Sequence, residues 1–96
     1  MVKLDNPEDY EFLRFEVNDK GSQKYKAILF NTLTDNEVTV KFGHKKYQQY
    51  KDSTGLGAYS HLDHNDETRR ESYRKRHAKE KDSKFSSGYF SYHYLW

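Results

Sequence analysis

The sequence predicts a single α+β domain: a three-stranded antiparallel meander, one charged helix, and an aromatic C-terminal segment that closes the core. Three observations lead there. Residues 10–17, 24–31 and 37–42 carry strand-type apolar patterns separated by short polar turns. Residues 65–81 hold hardly any aliphatics, yet they combine cap residues with charges at helical spacing. The chain has nine Tyr, six Phe and one Trp among only 33% hydrophobic residues, so its core must be built on rings, each burying more area than an aliphatic.

The chain has 96 residues, the size of one small domain, 1–96. Residues 1–9 are an acidic lead-in containing the sole proline, Pro7, in an Asp5-Asn6-Pro7 turn signal. The first strand is Tyr10 to Val17, with Leu13, Phe15 and Val17 expected on one face and Phe12, Arg14 and Glu16 on the other. Asn18 to Ser22 reads as a hairpin loop. The second strand, Lys24 to Asn31, contains Ala27-Ile28-Leu29-Phe30, apolar on both faces as suits a central strand. After a turn at Thr32 to Asn36, the third strand, Glu37 to Phe42, turns Val38, Val40 and Phe42 inward.

Gly43 ends that strand. His44 to Lys51 sets Tyr47 and Tyr50 three apart among lysines, in a helical turn or an ordered loop. Residues 52–63 form a loop whose composition marks it as the most flexible segment. The charged helix is expected to start near Asn65, with Asp63 and Asn65 as cap candidates and Asp66 and Glu67 at the positive end of its dipole. Arg69, Tyr73, Arg76 and His77 share one face of it, and Tyr73 is its main anchor. Ser86-Ser87-Gly88 breaks the chain. Tyr89 to Trp96 fits a short helix or an edge strand.

Composition excludes several classes. There is no Cys, hence no disulfide and no thiolate metal site. No apolar run approaches the roughly 20 residues of a membrane span, and the first residues lack a signal-peptide core, so a soluble protein that does not follow the common secretory route is expected. Net charge is +2 but unevenly spread. Residues 1–20 hold six acids against three bases, and residues 69–84 hold eight bases against three acids. Such polarity can steer a polyanion to one end or let two copies meet head to tail.

Three stretches could carry chemistry. The basic helix, with Arg69, Arg70, Arg74, Lys75, Arg76, Lys79 and Lys81, could neutralise phosphates beside stacking rings, or could be a solvated helix paired with the acidic N-terminal region. The aromatic tail could be an interface patch, although a core this poor in aliphatics needs those rings for itself. His61, Asp63 and His64 could ligate zinc or another divalent ion, but polar residues leading into a helix cap account for them far better, and no third histidine stands at a recognisable helical spacing. No Gly-rich phosphate loop is present, because Gly55-Leu56-Gly57 lacks its companions.

Phe42-Gly43-x-Lys45-x-Tyr47-x-x-Tyr50, then Asp66-Glu67-x-Arg69-Arg70-x-x-Tyr73-x-x-Arg76-His77, then Gly88-x-x-Ser91-x-x-x-Leu95-Trp96 occur in this order. The series resembles a family of small proteins of unassigned function encoded by giant DNA viruses and by some bacteriophages. The resemblance covers roughly residues 24–96. Lys46 stands where the family has a glycine, Gln48-Gln49 where it has Ser-Asp, and Arg74 where an apolar residue is common. Residues 52–63 look like an insertion, and the family usually continues past its Leu-Trp.

The resemblance implies a virus-encoded, non-enzymatic protein without a cofactor. It would be a structural component of the virion, present in host cytoplasm during assembly. Its expected partners are other virion proteins or its own copies, possibly nucleic acid, and no membrane. It further implies that Phe42, Tyr47, Tyr50, Arg69, Tyr73, Arg76, His77, Leu95 and Trp96 form a packing motif, with arginines stacked on rings. Arg70, Arg74, Lys75, Lys79 and Lys81 would then be the freer charges available to a partner. The alternative function is a small nucleic-acid-binding protein that uses helix 69–81 without sequence preference. A metal-dependent enzyme centred on His61 and His64 is the weakest reading.

Overall fold

Strands β1 (Tyr10–Val17), β2 (Gln23–Asn31) and β3 (Asn36–His44) form an antiparallel sheet in the order β1-β2-β3. The turns follow from their residues. Asn18 is buried and its amide donates to the carbonyls of Lys20 and Gln23, closing the first hairpin. Asn31 Oδ1 accepts from the backbone N–H of Leu33 and Thr34 in the second, where Asp35 takes φ +58°, a conformation that Asp tolerates better than most residues. The structure is a computed structural model that describes residues 6–96; Met1 to Asp5 of the acidic lead-in lie outside it. A short 3-10 turn, Pro7–Asp9, leads into β1.

The alternation expected along β1 fails at one point. Phe12 pairs with Leu29 and Arg14 with Ile28, so Leu13 is an extra residue in a β-bulge. A bulge shifts every later side chain by one position. It therefore brings both Phe12 and Phe15 to the core side of the strand, their ring centroids 4.7 Å apart, with Phe15 packed on the core, Phe12 still exposed beside it and Leu13 exposed on the other side. In β2, Tyr25, Ala27 and Leu29 are fully buried, and Val40 and Phe42 of β3 lie against them. Behind them, Ile28 is buried between its cross-strand neighbours Arg14 and Thr39, beside the Arg14–Glu16 and Lys26–Glu16 ion pairs.

The aromatic tail is helical. Helix α2 spans Ser87–Tyr94, its start capped by Ser86, whose hydroxyl accepts from the N–H of Tyr89. Phe85, Phe90, Tyr92 and Leu95 are buried, and Phe90 meets Phe42, Phe15 and Phe85 at centroid distances of 5.4, 5.8 and 5.9 Å. Phe85 takes φ +62° to insert its ring, a costly conformation for a bulky residue that the stack on Phe90 offsets. The rings of the C-terminal segment thus complete the core of the aliphatic-poor sheet.

The charged helix α1 (Glu67–Arg76) differs. None of its residues is buried, and its cap is Asp66, which accepts from the N–H groups of Thr68 and Arg69. A second 3-10 turn, Ala78–Asp82, continues it toward α2. The 52–63 segment, expected to be the most flexible, is pinned at both ends. Tyr25 donates its hydroxyl to Asp52 and accepts the N–H of Tyr59. Asp63 Oδ1 accepts from the N–H of Asp52 and from the Gln49 amide, and Ser60–Leu62 forms a 3-10 turn.

Gly43 suits its position in two ways. Its φ is +74°, and a Cβ there would stand 2.8 Å from Leu95 Cδ1. The close approach lets the loop after β3 run past the end of α2, where the N–H groups of Tyr50 and Lys51 both bond to the carbonyl of Leu95. Phe42 and Leu95, two members of the expected packing motif, are thus core residues on either side of this crossing.

Candidate functional site

An open groove of about 770 Å³ runs between the loop after β3 and the outer side of α1. Its lining comprises Lys46, Tyr47, Gln48, Leu62, Arg69, Tyr73, Arg76, His77 and Trp96. Its floor is a continuous stack of rings. Trp96 lies parallel to Tyr73 at 4.2 Å with an interplanar angle of 5°, and Tyr73 lies on His77 at 4.2 Å and 27°. The stack exists because Tyr73 and His77 are one helical turn apart on the same face of α1 and Trp96 follows directly from α2. Burial, and secondarily the charge of Glu80, push the Tyr73 hydroxyl up to about 12, so it stays protonated.

The rim is cationic. Arg69 and Arg76 are exposed on α1 and Lys46 is exposed on the facing loop, and no Asp or Glu side chain is among the described residues that line the groove. Arg69 donates to the side-chain oxygen of Gln48 across it, 2.8 Å away. Tyr47 is 68% exposed, an unusual state for so large a ring, and its other face stacks on His44 at 4.6 Å. Past Arg76 and His77 the surface opens into a second hollow lined by Lys75, Lys79, Glu80 and Ser83. Glu80 is the carboxylate there, 3.1 Å from His77 Nδ1.

The division of the arginines expected from sequence is reversed. Arg70 and Arg74, expected to be free, are the packed pair. Arg70 lies 4.5 Å above the Tyr50 ring and Arg74 4.8 Å above that of Tyr92. Both donate to the main-chain oxygen of Trp96, Arg70 through Nε at 3.0 Å and Arg74 through Nη2 at 3.0 Å. Cation–π contacts of this kind contribute about 0.5–2 kcal/mol each. Arg69 and Arg76, expected to be packed, face the groove instead. The reason is rotational: positions 70 and 74 point at Trp96 and the end of α2, while 69, 73 and 76 present the adjoining face. Lys75, Lys79 and Lys81 are exposed.

Of the remaining motif residues, Tyr50 is half-buried beneath Arg70 with its hydroxyl donated to Glu67. The three metal candidates are otherwise occupied or apart. Asp63 is a hub for Gln49 and Asp52, His64 Nδ1 accepts the N–H of Asp66, and His61 is exposed. His64 packs its ring against Trp96 at 5.2 Å, and burial together with Arg69 holds its pKa below the usual value. Among the described residues, no three His, Cys, Asp or Glu side chains come together in a way that could hold a metal ion.

Beneath the Tyr47 rim lies a side chain that sequence reasoning missed. Lys24 is buried, donating its ammonium to the carbonyl of Tyr47 and to the side-chain oxygen of Gln49. Burial lowers its pKa to about 8, against the opposing pull of Asp52 and Asp63. Lys24 therefore anchors the very segment that presents Lys46 and Tyr47. A lysine within a strand pattern carries no sequence signal for such a role. Lys46 was legible only as one lysine in a basic loop. No protein-family model matches this chain, and neither a curated protein nor a solved structure does so.

Proposed function

We propose that the protein binds nucleic acid without sequence preference, holding phosphates along the groove between Lys46 and α1. The observation that carries this reading is the groove lining itself: Lys46, Arg69 and Arg76 above an aromatic floor, with no Asp or Glu among the described lining residues. Phosphates are bound chiefly by such neutralising cations, and Lys75 and Lys79 extend the path beyond the groove. The rival reading, a structural component of a virus particle held by protein contacts, relied on two contact surfaces, the aromatic tail and the acidic N-terminus. Phe85, Phe90, Tyr92 and Leu95 are spent within the chain's own core, so that role would rest on the acidic N-terminal region. The resemblance to virus-encoded proteins is compatible with a packaged or replicating viral genome as the nucleic acid.

Fluorescence anisotropy with a labelled oligonucleotide over a salt series tests this. Three phosphate contacts at roughly −0.7 each give a log–log salt slope of about −2 for a single strand. Arg69→Glu/Arg76→Glu removes most of the binding without lowering the melting temperature, because both side chains are exposed. A chain that retains no oligonucleotide at low salt, or a double variant that binds as well as the parent, overturns the proposal.

A further inference from the structure

We infer that the groove is built for a single strand rather than a duplex, with a base laid on the exposed face of Tyr47 and its flanking phosphates on Lys46, Arg69 and Arg76. The inference rests on the nucleic-acid reading and narrows its substrate class. In a duplex the bases are already stacked on one another, and only phosphates and groove edges are presented. A duplex could use the cations of this site but not its rings. An unpaired strand presents both, and sites for it combine a cationic path with aromatic platforms.

Tyr47 meets the requirements of a platform. One face is covered by His44, which fixes the ring, and the other is left to solvent. The backbone carrying it is anchored from below by the buried ammonium of Lys24, which takes the Tyr47 carbonyl as acceptor. An exposed aromatic on a loop would ordinarily be costly to order; here the loop is ordered in advance, which lowers what binding must spend on immobilising it. The cations lie on both sides of the groove, Lys46 on the loop and Arg69 and Arg76 on α1, the arrangement a strand lying along the groove can use. The aromatic floor also contains the chain's sole tryptophan, Trp96, so an occupied groove reports on itself through indole fluorescence.

The test uses the full chain with an unstructured 20-mer of deoxythymidylate and a mixed-sequence 20-base-pair duplex, both by anisotropy at one low salt concentration, with tryptophan fluorescence followed in parallel. The expected result is single-strand binding tighter than duplex binding by on the order of tenfold, with a change of Trp96 emission on the single strand only. Tyr47→Ala weakens the single strand by about tenfold and leaves the duplex unchanged, while Tyr47→Phe, which keeps the ring, binds like the parent. Equal affinity for both forms, with Tyr47→Ala indifferent, overturns the single-strand inference and leaves the phosphate reading standing. Binding to neither form overturns both.

Discussion

The two helices are held by different physics. Helix α2 carries no Asp, Glu, Lys or Arg and buries Ser87, Gly88, Phe90 and Tyr92, Phe90 against Phe42 and Phe15 of the sheet and Tyr92 beneath Arg74 of α1. Helix α1 buries nothing, and its ties are ring faces, guanidinium groups and one main-chain oxygen. Burial of apolar area is non-directional and roughly proportional to the area removed from water. Stacking and cation–π contacts are directional, individually worth about 1 kcal/mol, and leave the outer surface of the helix wet. The contrast places the candidate groove where a small domain can provide it, on the element that the core does not consume.

A matched pair of truncations separates the two regimes most forcefully. Phe90→Ala removes the ring at the centre of the Phe15, Phe42 and Phe85 cluster and is expected to cost about 3–5 kcal/mol, a large share of the roughly 5–15 kcal/mol that holds a domain together. Urea unfolding should show one earlier transition for every probe. Trp96→Ala removes the stack on Tyr73 and the ring contact with His64; the main-chain oxygen that Arg70 and Arg74 share remains. It should cost about 1–2 kcal/mol and accelerate amide exchange in α1 far more than in β2. If Trp96→Ala loosened strands and helix alike, the two regions would not be distinct.

Lys24 lies at the seam between them, and pH addresses it selectively. Its folded pKa of about 8 lies below the 10.5 of the free side chain, so between those values the unfolded chain holds more protons than the folded one. Stability therefore rises as pH climbs from 8 toward 10, and the contribution is lost as pH falls through 8. Tyr25 and Tyr73 act in the opposite sense. Burial pushes both up to about 12, so their contribution is complete below pH 10 and lost above it. The parent should be most stable near pH 10, by on the order of 2 kcal/mol over pH 7.5. Lys24→Met should lack the rising arm and keep the falling one. A pH-independent urea midpoint between 7.5 and 10 in the parent would show that the ammonium is fully compensated by its acceptors and by the nearby carboxylates.

The same contrast explains what could be read in advance. The span of β1 and the existence of all three strands followed from alternation and turn residues, and the burial of Phe85, Phe90 and Leu95 from the shortage of aliphatics. These are averages over many contacts. The bulge at Leu13 was hidden because one inserted residue leaves composition and pattern nearly unchanged while it reverses which face Phe12 occupies. The exchange of roles between Arg69/Arg76 and Arg70/Arg74 was hidden for a related reason. Adjacent helix positions differ by about 100°, and the acceptor that selects between them is a main-chain oxygen at position 96, which has no sequence signature. The ring face containing Tyr73 and His77 was legible, since its spacing is helical. Its stacking partner Trp96 stands in the expected packing motif only as one of nine residues, and Tyr47 of that motif is largely exposed.

The smallest expected effect sharpens the comparison most, because it applies one kind of edit to both helices. Ser86 caps α2 and is fully buried; Asp66 caps α1 and is exposed. Losing a cap costs about 1 kcal/mol in either case. In Ser86→Ala the orphaned N–H of Tyr89 cannot reach water easily, and α2 is part of the core, so the loss should appear as a lower midpoint for the whole domain. In Asp66→Ala the freed N–H groups of Thr68 and Arg69 are solvated at once, and the favourable charge at the positive end of α1 is removed. There the midpoint should scarcely move. The first turn of α1 should fray instead, with faster amide exchange confined to residues 67–70. Because Arg69 then loses its fixed position on the groove rim, oligonucleotide affinity should fall by about two- to threefold. A lowered global midpoint with unaltered exchange in α1 would mean that this helix, despite burying nothing, folds as one cooperative unit with the sheet.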